Sequence, residues 1–106
     1  MKKIECIIRQ EKLKELSGAL RLAGIAGATV SEVKGFGKEV SRPDNFLFLP
    51  KTKIELYITD DLVEDVVATI ISCCKDESLG SGKIAILPLD DCIRVRTGER
   101  GDKAIV

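Results

Sequence analysis

Apolar and polar positions along the chain follow two periods, and the switches between them outline a unit that occurs twice. Lys3–Ile8 (KIECII) is dense in residues that suit extended backbone and predicts a strand. From Glu11 to Ala23 the apolar positions Leu13, Leu16, Ala19, Leu20 and Ala23 fall at helical spacing, and Gly24 is placed to end that helix. Ala28–Val33 alternates and predicts a strand. Lys34-Gly35-Phe36-Gly37-Lys38 then opens a polar loop with Pro43, Asp44 and Asn45, which Leu49-Pro50 closes. Lys53–Thr59 (KIELYIT) predicts the next strand. Asp60-Asp61 are expected to cap a second helix bearing Leu62, Val63, Val66, Val67, Ile70, Ile71 and Cys74. A turn is expected at Gly80–Gly82, strands at Lys83–Leu87 and Cys92–Val95, and a polar loop over the last residues.

Lys3–Ile8 and Lys53–Ile58 are identical at four of six positions, so the order reads β-α-β, loop, β-α-β. A duplicated unit of this kind predicts an α+β, ferredoxin-like βαββαβ domain. Its sheet is antiparallel, with both helices on one face. The central strands are apolar on both parities (Cys6, Ile7, Ile8; Leu56, Tyr57, Ile58). The second face is therefore expected to be covered as well, and in a chain this small by another subunit.

Length and composition narrow the class. The 106 residues make one domain, residues 1–106, with 44% hydrophobic content. No apolar run reaches membrane-spanning length and Met1-Lys2-Lys3 leads straight into a strand, so a soluble, cytoplasmic protein is expected. The 17 basic and 17 acidic residues balance, which argues against a general nucleic-acid binder. A sheet that reads RNA needs exposed aromatics, and the strands offer Tyr57 alone. Histidine is absent, which removes the commonest general base and metal ligand. The four cysteines contain no C-x-x-C pair, and no metal site is expected. Cys6 and Cys92 read as small buried residues. Vicinal Cys73-Cys74 allows either a redox pair or a helix end with one thiol in the core, the commoner arrangement.

The candidate chemistry lies near the C-terminus. Gly80-Ser81-Gly82-Lys83-Ile84 combines a glycine turn with a lysine at its exit. Eleven residues after Lys83 comes Arg94-Val95-Arg96-Thr97-Gly98-Glu99. On a strand, Arg94 and Arg96 share one face. Three cations and a glycine nest suit a polyphosphate. Each piece alone has a blander reading. The glycine turn could be a plain helix-to-strand connection, and it lacks the Walker spacing. The arginines could be a solvated strand face. Gly35-x-Gly37 lacks a third glycine.

Four segments in order resemble the signature blocks of the PII signal-transduction family. They are Val33-Lys34-Gly35-Phe36-Gly37, Leu49-Pro50-Lys51-Thr52-Lys53-Ile54-Glu55, Gly80-Ser81-Gly82-Lys83-Ile84 and Ile93-Arg94-Val95-Arg96-Thr97-Gly98-Glu99. The resemblance spans nearly the whole chain except the loop between Gly37 and Leu49. It implies a homotrimer with its sheets facing the three-fold axis and adenine-nucleotide sites (ADP, ATP or AMP, with Mg possible beside ATP) between subunits. By motif position, Gly80, Gly82 and Lys83 (turn 79–83) would wrap the phosphates, and Arg94 and Arg96 would reach them from the neighbouring subunit. Thr29, Glu55 and the backbone at Tyr57 would meet the adenine. Gly35, Phe36 and Gly37 would form the base of the family's T-loop, and 96–106 a C-terminal loop.

Two departures from the family pattern shape the expected function. The glutamine that helps the family bind Mg-ATP and 2-oxoglutarate is here Glu39, whose charge opposes both ligands. The T-loop (37–49) is shorter than in the family and lacks the tyrosine that is uridylylated there. The reading is a regulatory protein rather than an enzyme, signalling through a short T-loop to a membrane transporter or a metabolic enzyme. Phe46, Leu47 and Phe48 either pack on their own subunit or form an apolar tip for that partner. The alternatives are an amino-acid-sensing domain of the ACT type, which gives no reason for Lys83, Arg94 and Arg96 together, and a weak nucleotide hydrolase.

Overall fold

A computed structural model of the protein describes residues 1–37 and 48–106. The elements are β1 (Lys2–Ile8), α1 (Leu13–Leu22), β2 (Thr29–Gly35), β3 (Leu49–Ile58), α2 (Val63–Cys74), β4 (Gly82–Pro88) and a one-turn α3 (Asp102–Ile105). The four strands form one antiparallel sheet in the order β2-β3-β1-β4. This is the ferredoxin-like plan that the duplicated pattern predicts. The two matching segments are the central strands and pair with each other, Lys3 opposite Tyr57 and Ile7 opposite Lys53.

Alternation decides which face is covered. Ile4, Cys6 and Ile8 of β1 and Ile54, Leu56 and Ile58 of β3 point to one side and are buried. Leu16 and Leu20 of α1, with Val63, Val66, Ile70 and Cys74 of α2, close over them as one core. Gly24 ends the first helix with φ of +88°, and the Ile25 amide donates to the Leu20 carbonyl at 3.1 Å, a six-to-one closure that spares the last turn an unpaired acceptor. Both helices are entered through a 3₁₀ turn, at Gln10–Lys12 and Asp60–Leu62. The expected cap at Asp60-Asp61 does not form. The Asp60 carboxylate accepts instead from the Met1 amino group at 2.8 Å.

The opposite face is mixed. Lys3, Glu5, Lys53 and Glu55 lie there beside half-exposed Ile7 and Tyr57. Cys6 is fully buried, and burial raises its thiol to about 11, so it stays protonated and inert. Cys74 points into the core and Cys73 is half-buried, with burial raising both thiols.

Three expectations near the C-terminus are corrected. Cys92–Val95 is not a strand: only Ile93 pairs, in a single bridge to Arg100. Cys92 is half-buried rather than buried. Gly98 and Gly101 take positive φ, +73° and +71°, and fold the segment into a tight hairpin too short to join the sheet. The segment expected to be loop throughout ends in α3.

Candidate functional site

One end of the sheet carries a cleft of about 250 Å³. Thr29 of β2 and Glu55 of β3 are directly opposite in register, and Tyr57 follows on the same face of β3. The Gly24–Ala28 connection forms one wall, and Cys92 with Ala104, Ile105 and Val106 forms another. The three residues expected at the base-binding end thus line a single cleft. Glu55 is held by Lys3, Nζ to Oε2 at 2.6 Å, and the same ammonium lies 3.7 Å from Glu5. The Lys3 hydrogen bond keeps the Glu55 carboxyl below its ordinary value, and Glu55 in turn raises the Lys3 ammonium.

Gly80, Gly82 and Lys83 sit elsewhere, at the start of β4. Gly82 and Lys83 line a groove of about 170 Å³ against α2, with Ile8, Ile71 and Lys75. Two cations anchor the approach to this turn through its carbonyls. Lys51, itself buried, donates from Nζ to the Gly80 carbonyl at 3.1 Å. Arg9 donates from Nη2 to the Leu79 carbonyl at 2.5 Å and to Ser78 Oγ at 2.7 Å. Gly35 closes β2 opposite Leu49, and the exposed ring of Phe36 meets Phe48 edge-on, centroids 5.5 Å apart. Phe46, Leu47 and Glu39 lie outside the described residues.

Arg94 and Arg96 do not share a strand face. The Arg94 guanidinium is engaged within its own chain, with Nη1 on Glu99 Oε1 at 2.7 Å and Nη2 on the carbonyls of Lys103 (2.9 Å) and Val106. Arg96 stands exposed in the turn with no hydrogen bond or ion pair among the described residues. Lys3, Arg9, Lys51 and Asp91 complete these arrangements and were not singled out from sequence. Their signal was faint, since only cross-strand register pairs Lys3 with the neighbourhood of Glu55.

Asp91 pins the C-terminal hairpin. Its carboxylate accepts from the Cys92 amide (2.8 Å), the Gly101 amide (3.2 Å) and Arg100 Nε (2.8 Å). The Arg100 hydrogen bond, foremost, holds this carboxyl below the ordinary carboxylate range. A lowered folded value means that the contribution is fully present above about pH 4 and is lost as pH falls through the lowered value. Asp91→Asn is therefore expected to speed hydrogen exchange across 99–106 at neutral pH while β1 and β3 keep their protection. Unchanged exchange in 99–106 would contradict this role.

These features define a ferredoxin-like domain with a ligand-sized cleft at one end of its sheet. The family model described as Nitrogen regulatory protein P-II matches residues 1–99. The Nitrogen regulatory protein P-II of Cereibacter sphaeroides is 45% identical over 112 residues, covering 99% of this chain and 100% of that one. Nitrogen regulatory protein P-II 2 of Methanothermobacter thermautotrophicus is 43% identical over 112 residues, covering 99% and 97%. The crystal structure of Arabidopsis thaliana PII bound to citrate superposes with a TM-score of 0.84 at 44% identity, over 98% of this chain and 88% of that one. The chain belongs to the P-II nitrogen regulatory protein family. It is a regulatory protein and not an enzyme, which sets the hydrolase alternative aside. Among the described residues no helix is long and apolar enough to cross a membrane.

Proposed function

We propose that the chain is a cytoplasmic nucleotide-state sensor. It binds ADP, ATP or AMP between the subunits of a homotrimer and signals to a membrane transporter or metabolic enzyme through the short T-loop at 37–49. One observation carries this reading: the expected site residues fall into two separate places on one chain. Thr29, Glu55 and Tyr57 share the cleft at one end, while Gly82 and Lys83 start β4 with β1 between them and β3. Two strand spacings, roughly 10 Å, separate β3 from β4, and Lys83 is further offset along its strand, opposite Ile7 rather than Glu5, the partner of Glu55. A second copy placing its Arg96 beside this Gly80–Lys83 turn joins the halves. The mixed face of the sheet, with Ile7 and Tyr57 still half-exposed, supports burial of that face by further copies. The citrate held by the Arabidopsis relative supports a small polyanion as ligand.

Glu39 adds a negative charge two residues after Gly37 in the sequence, so ADP and AMP are expected to bind at least as tightly as ATP, and 2-oxoglutarate to add nothing. Loop populations then follow the nucleotide, because a ligand shifts only the equilibrium between states it contacts differently. Titration calorimetry with each nucleotide, and with 2-oxoglutarate added to protein saturated with Mg-ATP, tests the ligand. Hydrogen exchange over 36–50 with and without ADP tests the signal. Light scattering is expected to give three times the 11.6 kDa chain mass, about 35 kDa in one species. No saturable heat with any adenine nucleotide, or a stable monomer, would contradict the proposal.

A further inference from the structure

Glu55 is the one charged side chain lining the cleft among the described residues. The walls around it are small or apolar, including Ile25, Ala28 and Ile105, and suit the faces of a planar ring. The carboxylate is half used. Oε2 is taken by Lys3 at 2.6 Å, and Oε1 has no partner among the described residues. Lys3 is itself fixed from two sides, since Glu5 also approaches it at 3.7 Å. A carboxylate tied by one oxygen cannot slide along its strand. It presents one acceptor at one place.

We infer that Lys3 is a positioning residue that sets purine selectivity, fixing Glu55 Oε1 so that the cleft accepts a 6-aminopurine and rejects a 6-oxopurine. This rests on the nucleotide reading above. An exocyclic 6-amino group donates to a fixed Oε1. A 6-oxo group places an acceptor against an acceptor, an unpaired arrangement that a buried polar site disfavours strongly. A free carboxylate could escape that clash by moving to the neighbouring N1–H of the 6-oxopurine. The Lys3 tether removes that escape.

The test compares ADP with inosine diphosphate by calorimetry on the full chain. Wild type is expected to prefer ADP by at least about tenfold. Lys3→Met is expected to bring the two affinities to within about threefold, with inosine diphosphate gaining, and Lys3→Arg to restore the preference. Glu55→Gln, nearly the same shape, is expected to lose selectivity too, because its amide can accept from a 6-amino group or donate to a 6-oxo group. A purely structural role for Lys3 would weaken both ligands equally and leave their ratio unchanged. That result, or a selective Glu55→Gln protein, overturns the inference while the nucleotide reading stands. Wild type that binds neither diphosphate overturns both.

Discussion

Gly82→Ala is expected to destabilise the protein by about 2 kcal/mol or more, lowering its melting temperature by on the order of 10 °C. Two independent causes add. Gly82 has φ of +127°, a conformation that side chains rarely adopt, and its added Cβ would lie 2.3 Å from the Ile7 carbonyl oxygen. That neighbour is backbone of a central strand, paired through Ile8 opposite Gly82 and Ile7 opposite Lys83, so it cannot swing away. Relief requires β4 to shift against β1, which moves Lys83 as well. Loss of stability is therefore expected together with loss of nucleotide binding. Gly18→Ala is the control of opposite sign. It lies within α1 with nothing within 4 Å of its added Cβ, and alanine there is expected to stabilise by roughly 0.5–1 kcal/mol. A Gly82→Ala protein that melts with the parent would show that β4 is not held as described.

Arg96→Ala is expected to weaken ADP binding at least tenfold and leave the melting temperature unchanged. Its side chain is exposed, so its removal breaks no hydrogen bond or ion pair among the described residues. A charge-assisted bond to phosphate is worth about 1.5–3 kcal/mol, and 1.4 kcal/mol is a factor of ten. Arg94→Ala should behave differently. That guanidinium already joins Glu99, Lys103 and Val106, so any loss of affinity should arrive together with faster exchange in 99–106. Calorimetry and hydrogen exchange on the two variants separate a ligand contact from a fastener. Equal binding by Arg96→Ala and the parent would remove Arg96 from the site.

The elements with strong period were legible in the sequence, and those set by tertiary contact were not. Leu13, Leu16, Leu20 and the valines and isoleucines of α2 are spaced as helices must be, and KIECII and KIELYI announce paired central strands. The β3 start at Leu49 was hidden because Pro50 reads as a loop residue. It is tolerated near the beginning of that strand. Cys92–Val95 looked extended because its apolar residues resemble a short strand, but Gly98, Gly101 and the Asp91 carboxylate bend the chain locally before a ladder can form. The family was legible from four motifs in order. The Lys3–Glu55 pair was not, because only cross-strand register brings those residues together across the sheet.

The central claim is that two copies of the chain build each nucleotide site, one giving the Gly80–Lys83 turn and the next giving Thr29, Glu55 and Arg96. The most direct measurement is complementation between two damaged proteins. Lys83→Ala and Arg96→Ala variants are each expected to bind ADP weakly. Unfolded and refolded together, they form mixed trimers in which one interface pairs an intact Lys83 with an intact Arg96. Calorimetry of the mixture is expected to recover a population of sites with the parent affinity. A refolded mixture that binds no better than its two components would place the whole site within one chain and contradict the account.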